Sequence, residues 1–135
     1  GRAEETPTAP ERSHFLAVDV FIDSHDQPLA AYQIELQAPP GTRIVGIEGG
    51  DSPAFSEPPH YDPKAIQNDR VILGGFSTLP ELQLPKGRTR VATLHVQNER
   101  VAVPEFAVQS ATAANAKGGK VKIQTSVEER KGESK

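Results

Sequence analysis

Proline and glycine interrupt this chain about every dozen residues, and between them lie only short segments rich in β-branched side chains. That rhythm leaves no room for an amphipathic helix of useful length, which disfavours α/β architectures and points to an all-β sandwich or barrel. The opening segment, His14 to Asp23, alternates cleanly: Leu16, Val18, Val20 and Ile22 fall on one face. The opposite face carries Phe15, Ala17, Asp19 and Phe21, so this strand is expected to be covered in part on both sides. Ala30 to Ala38 repeats the pattern, with Tyr32, Ile34 and Leu36 set against Gln33, Glu35 and Gln37, a strand with one wet face.

The remaining segments extend the series. Arg43 to Ile47 forms a short strand, and Gly49-Gly50 then releases the chain into its longest irregular stretch, Asp51 to Asn68, which carries four prolines. A stretch of that length is functional or holds a helical turn. Asp62-Pro63-Lys64-Ala65-Ile66 supports the turn, with Asp62 as N-cap and Pro63 at the first helical position. Arg70 to Phe76 returns to strand, and its Gly74-Gly75 pair predicts a bulge or a close backbone approach. Leu82 to Leu84 leads into the Pro85-Lys86-Gly87 turn, and Arg88 to Val96 follows with Ala92, Leu94 and Val96 inward and Thr93, His95 and Gln97 outward. Glu105 to Ala111 and Val121 to Val127 read as a hairpin around Asn115 to Gly119. Seven or eight strands and one short helical turn result: a two-sheet antiparallel sandwich, jelly-roll or Ig-like.

With 135 residues the chain fits one domain, expected at 13–127 between disordered polar tails at 1–12 and 128–135. A net charge of −3 and scattered Lys and Arg exclude a nucleic-acid surface, which needs a basic stripe. The longest apolar run, Phe15 to Ile22, is broken by Asp19 and is far shorter than a membrane span. There is no cysteine, so thiols report nothing about compartment. The chain starts at Gly1 and has no methionine, from which an excised or mature form is expected, its targeting segment removed.

Candidate chemistry is sparse. His14, His25, His60 and His95 form no metal-ligand spacing, and no GxSxG elbow is present. Asp23 and Asp26 are weak candidates for calcium, but they lack the DxDxDG ladder and fit turn formation better. Phe15, Phe21, Tyr32, Phe76 and Phe106 lie in strands and are expected in the core. That leaves Phe55 and Tyr61 on the proline-stiffened 51–68 loop, flanked by His60 and Asp62, as a candidate recognition edge. The competing reading, which the sequence favours, folds Phe55 and Tyr61 back to cap an open end of the sandwich.

The segments LAVDVFID and PLAAYQIELQAP resemble the start of cohesin-type modules. LPKGRTRVATLHVQ is similar to the strand that this family places after its glycine turn, and FAVQSATAANAKGGKVKIQTSV to its final hairpin. The resemblance spans residues 14 to 127, with short motifs. Two departures stand out: Tyr61-Asp62-Pro63 lies well downstream of the expected place for that signature, and GGDSPAFSEPPHYDP is an atypical insertion, pointing to a separate bacterial family. The resemblance implies a cohesin-type sandwich with a binding or scaffolding role, and no dockerin-contacting residue is carried over. The expectation is a non-catalytic module without cofactor, secreted, periplasmic or at the cell surface. Its partner would be a protein or a neighbouring domain; the alternative is a carbohydrate-binding module that holds polysaccharide with the 51–68 loop.

Overall fold

A computed structural model describes residues 14–67, 69–99 and 104–130. Its strands are β1 (His14–Asp23), β2 (Ala31–Gln37), β3 (Thr42–Gly49), β4 (His60–Tyr61), β5 (Arg70–Phe76), β6 (Arg88–Asn98), β7 (Ala107–Ala114) and β8 (Gln124–Glu129). One short helix, α1 (Pro63–Gln67), and two single 3-10 turns complete the elements. The strands form two four-stranded sheets, ordered β3-β6-β1-β8 and β4-β5-β2-β7, with every described pairing antiparallel. The all-β sandwich expected from the sequence is therefore present, with its one helical turn in place.

Alternation builds the core. Val18, Val20 and Ile22 of β1 are fully buried, as are Ile34 and Leu36 of β2 and Val71 and Leu73 of β5. They belong to one cluster with Val91, Leu94 and Val96 of β6, so each sheet buries its apolar face on the other. Each such side chain contributes roughly 1.5–3 kcal/mol on burial. In β6 both Val91 and Ala92 are buried, although neighbours in a strand should face opposite ways. The ladder explains it: Val20 pairs with Ala92 and Phe21 with Arg90, so Val91 is an extra, bulged residue that resets the phase.

Several expectations need correction. The segments around Asn115 to Gly119 do not form a hairpin of two paired strands, because β7 belongs to one sheet and β8 to the other. The chain turns as a hairpin would, with a bridge between Ala114 and Lys120 and a bond from Val121 N to Ala113 O at 3.0 Å. Val121 is then buried in the core, and that carries the chain across to β1. The β8 strand runs through Glu129, past the boundary expected at 127, and Arg130 N donates to Ala17 O. The tail expected at 1–12 lies outside the described residues. Phe15 and Phe76, placed in the core by sequence, are 71% and 65% exposed, because each sits out of phase with the buried residues of its own strand. Before the Pro85-Lys86-Gly87 turn, Leu82 is exposed on a 3-10 turn and Leu84 is buried.

Local bonds order the described part of the 51–68 stretch, residues 51–67. Gly50 N donates to Phe55 O and Phe55 N to Ser52 O, which folds the first turn back on itself. A Cβ on Gly50 would meet Arg90 O at 2.0 Å, so this backbone approach to β6 requires glycine. The helix α1 starts as predicted, with Asp62 Oδ1 accepting from Lys64 N at 3.0 Å. Among the described residues, no helix is long and apolar enough to cross a membrane.

Candidate functional site

The outer face of the β4-β5-β2-β7 sheet is the surface best suited to a partner. Because Tyr32, Ile34 and Leu36 point into the core, Gln33, Glu35 and Gln37 must point away from it. The register brings Gly74 and Thr112 beside Gln33, Ile72 and Ser110 beside Glu35, and Arg70 beside Gln37. His60 pairs with Gly74 and so joins the same face from β4. The result is a flat surface of mixed character. Arg70 Nη1 donates to Glu35 Oε2 at 2.5 Å near one end. At the other, the exposed Phe76 ring lies stacked with the His60 imidazole, centroids 6.4 Å apart and planes 11° from parallel.

Next to this aromatic pair runs an open groove of about 330 Å³, walled by the 53–60 segment on one side and by Gly74 to Leu79 on the other. Its floor is Tyr32 with Phe55, whose rings meet edge to face at 5.4 Å and 69°. Gly75 leaves room for that ring, since a Cβ there would stand 2.7 Å from Tyr32 Cε2. The Gly74-Gly75 pair thus marks a close approach, and the β2–β5 register runs through it without a bulge. Burial pushes the Tyr32 phenol above its ordinary pKa, so the hydroxyl stays neutral at physiological pH.

The residues singled out on the loop are dispersed by this arrangement. Phe55 is 5% exposed and belongs to the core, a correction to its candidacy as a recognition ring and an outcome in line with the capping alternative. His60 stands on the outer face. Tyr61, the next residue in β4, must point the other way; half exposed, it lines an apolar groove with Ile44, Val45, Ile47, Pro63 and Ile66. Asp62 uses its carboxylate to cap α1. Phe55 and His60 thus both line the first groove, whereas Tyr61 lines the second and Asp62 caps α1, so the four do not share one site. Asp23 Oδ1 accepts from His25 N at 2.9 Å and so shapes its own turn, where His25 adopts a φ of 61°. Among the described residues, no group of three or more His, Cys, Asp or Glu is positioned to hold a metal. Sequence reasoning missed Phe76, but its phase was readable: it alternates with Arg70, Ile72 and Gly74, not with Val71 and Leu73.

A second polar cluster covers the outer face of the other sheet. Thr93, expected to face solvent, is fully buried because arginine side chains lie over it. Its hydroxyl donates to Asp19 Oδ1 at 2.6 Å and accepts from Arg90 Nη1 at 2.5 Å and Arg130 Nη2 at 2.7 Å. Arg130 Nε reaches Asp19 at 3.2 Å, and Arg90 forks onto Asp51 while donating to Gly49 O at 3.1 Å. His95 Nε2 lies 2.5 Å from Glu48 Oε2. The hydrogen bond from His95 holds the Glu48 carboxyl below its usual range, and that from Arg90 does the same to Asp51. With the hydroxyl fully buried, this network is structural: it ties the end of β8 and the start of the 51–59 segment to β1 and β6.

No family model matches the chain, and no curated protein sequence does. Solved structures do match. The non-cellulosomal cohesin of the archaeon Archaeoglobus fulgidus superposes with a TM-score of 0.65 at 12% identity, over 84% of this chain and 80% of that one. A chain of the Coh-OlpA-Doc918 complex from Clostridium thermocellum, a type I cohesin–dockerin complex, gives 0.65 at 8% identity over 81% and 82%. The Coh-OlpC-Doc435 complex of the same organism gives 0.61 at 10% identity over 87% and 85%. The fold is cohesin-like, as the sequence resemblance implied, and one of the neighbours is archaeal.

Proposed function

We propose that this chain is a protein–protein interaction module that engages its partner with the outer face of the β4-β5-β2-β7 sheet. The observation that carries the reading is the exposed Phe76 ring, stacked with His60 at the opposite end of the face from the Arg70–Glu35 pair, on a face that no described element covers. A rigid aromatic anchor in a polar surround is the usual composition of a binding hot spot. Support comes from the fold, shared with cohesins of which two were solved in complexes with dockerins.

A photo-crosslinking residue at Gln33, central on this face, and another at Phe15, on the outer face of the other sheet, test it in the cell that makes the protein. The expected result is a discrete protein adduct at position 33 that disappears in Phe76→Ala and is absent at position 15. Adducts of equal yield at both positions would refute the assignment of this face. Parallel titration with soluble polysaccharides decides the other class: amide shifts around His60 and Phe76 on sugar addition, without a protein adduct, replace this reading with a carbohydrate-binding one.

A further inference from the structure

We infer that the outer edge of β7 pairs antiparallel with the β7 of a second copy of this chain, joining two β4-β5-β2-β7 sheets into one. The backbone opens the edge. Ala113 O points out of the sheet, away from β2, to accept from Val121 N. Alternation turns the N–H and C=O of Ala111 the same way. The chain leaves for the other sheet at Val121, so beyond Ala113 no described strand pairs this edge. Ala107, Val108, Gln109 and Ser110 are exposed one after another, which a strand covered on one side does not show. Val108 retains 43% of its surface.

The composition singles this edge out. A free edge is ordinarily blunted by charge, by proline or by shortness. β3 carries Arg43 and Glu48, β8 ends in Glu128-Glu129, and β4 has only two residues. β7 reads AVQSATAA, with no charge and no proline, and its one irregularity is the bulge at Gln109 against β2. The occupant follows from what flanks it. Glu105 precedes the strand and is exposed; Lys120 and Lys122, also exposed, stand where the chain turns back beside Ala114. Antiparallel pairing of two copies lays the Glu105 end of each against the Lys120–Lys122 end of the other, so both ends are complementary and the middle is neutral. A two-fold axis perpendicular to the sheet generates this arrangement and is closed at two copies. Both outer faces would then look the same way.

Analytical ultracentrifugation of the full chain across a concentration series tests the inference. Reversible dimerisation is expected, weakened about ten-fold by Glu105→Lys, which sets like charges opposite each other at both ends. The triple variant Glu105→Lys, Lys120→Glu, Lys122→Glu restores it, an outcome no general loss of stability produces. Ala111→Pro removes an outward N–H without touching the β2 ladder and abolishes the dimer with the circular dichroism spectrum kept. A chain that stays monomeric at millimolar concentration overturns the proposal, as does a dimer indifferent to Glu105→Lys and Ala111→Pro.

Discussion

Replacing Phe55 by alanine separates a structural role for the 51–59 segment from a recognition role. The ring is 5% exposed and meets Tyr32 edge to face at 5.4 Å. Truncating a buried phenylalanine costs about 3–5 kcal/mol, the range reflecting how far the site collapses into the space left. Here one wall is the open groove between the 53–60 segment and Gly74 to Leu79, so the segment can settle inward and the cost falls near the lower end, about 3 kcal/mol. For a domain of this size that corresponds to a fall in Tm of roughly 10 °C. Urea unfolding followed by circular dichroism reads it as a lower midpoint at unchanged slope. Phe76→Ala is the control: with its ring 65% exposed, it should stay within about 0.5 kcal/mol of the parent. A loss below about 1 kcal/mol for Phe55→Ala, or equal losses for the two, would refute the placement of Phe55 in the core.

Thr93→Val keeps the shape of a fully buried side chain but removes the hydroxyl that donates to Asp19 and accepts from Arg90 and Arg130; an unfolding loss of about 1–3 kcal/mol is expected by urea titration. Gly50→Ala brings a Cβ to 2.0 Å from Arg90 O, backbone that cannot step aside, and should cost about 1–3 kcal/mol while freeing the amides of residues 50 to 55 for hydrogen exchange. Ending the chain at Val127 removes the Arg130 partner of Asp19 and the last pairs of β8, so this shortened form should melt below one that ends at Arg130; equal melting temperatures would show that the strand end contributes nothing. Glu48 and Asp51 have folded pKa values below their unfolded ones, so their contribution is present above the unfolded carboxylate pKa and is lost as pH falls through the folded values. Glu48→Gln and Asp51→Asn should accordingly lower stability at neutral pH and flatten the acid side of the profile below about pH 4.5, the gap to the parent closing as the pH falls.

Much of the architecture was legible in the chain. Alternation in LAVDVFID and AYQIELQ is a local property of the backbone, and so β1 and β2 and their buried faces could be read directly, as could α1 from its Asp62 cap and Pro63. The outer face of the β4-β5-β2-β7 sheet was half legible: Gln33, Glu35 and Gln37 announced a wet side, but Phe76 was assigned by residue type instead of by its phase with Arg70 and Ile72. Which residues of the 51–68 loop act together was not legible at all. Phe55, His60, Tyr61 and Asp62 are neighbours in sequence, yet one turn, one two-residue strand and one helix cap send them to the core, the outer face, a second groove and the helix end.

The sequence by itself determined seven of the eight strands, the short helix and the apolar stripes, because each depends on dihedral preference and side-chain period within a few residues; the two-residue β4 was not among them. The tertiary structure alone decided which sheet each strand joins. The turn at Asn115 to Gly119 is hairpin-like locally, and what separates β7 from β8 is Val121, whose burial against the core outweighs continued pairing. It also decided that Asp19 and Thr93 are buried, since the arginines that cover them come from the bulged part of β6 and from the end of β8, up to 111 residues away along the chain. Contacts at that separation depend on how the sheets stack, and no window of sequence contains them.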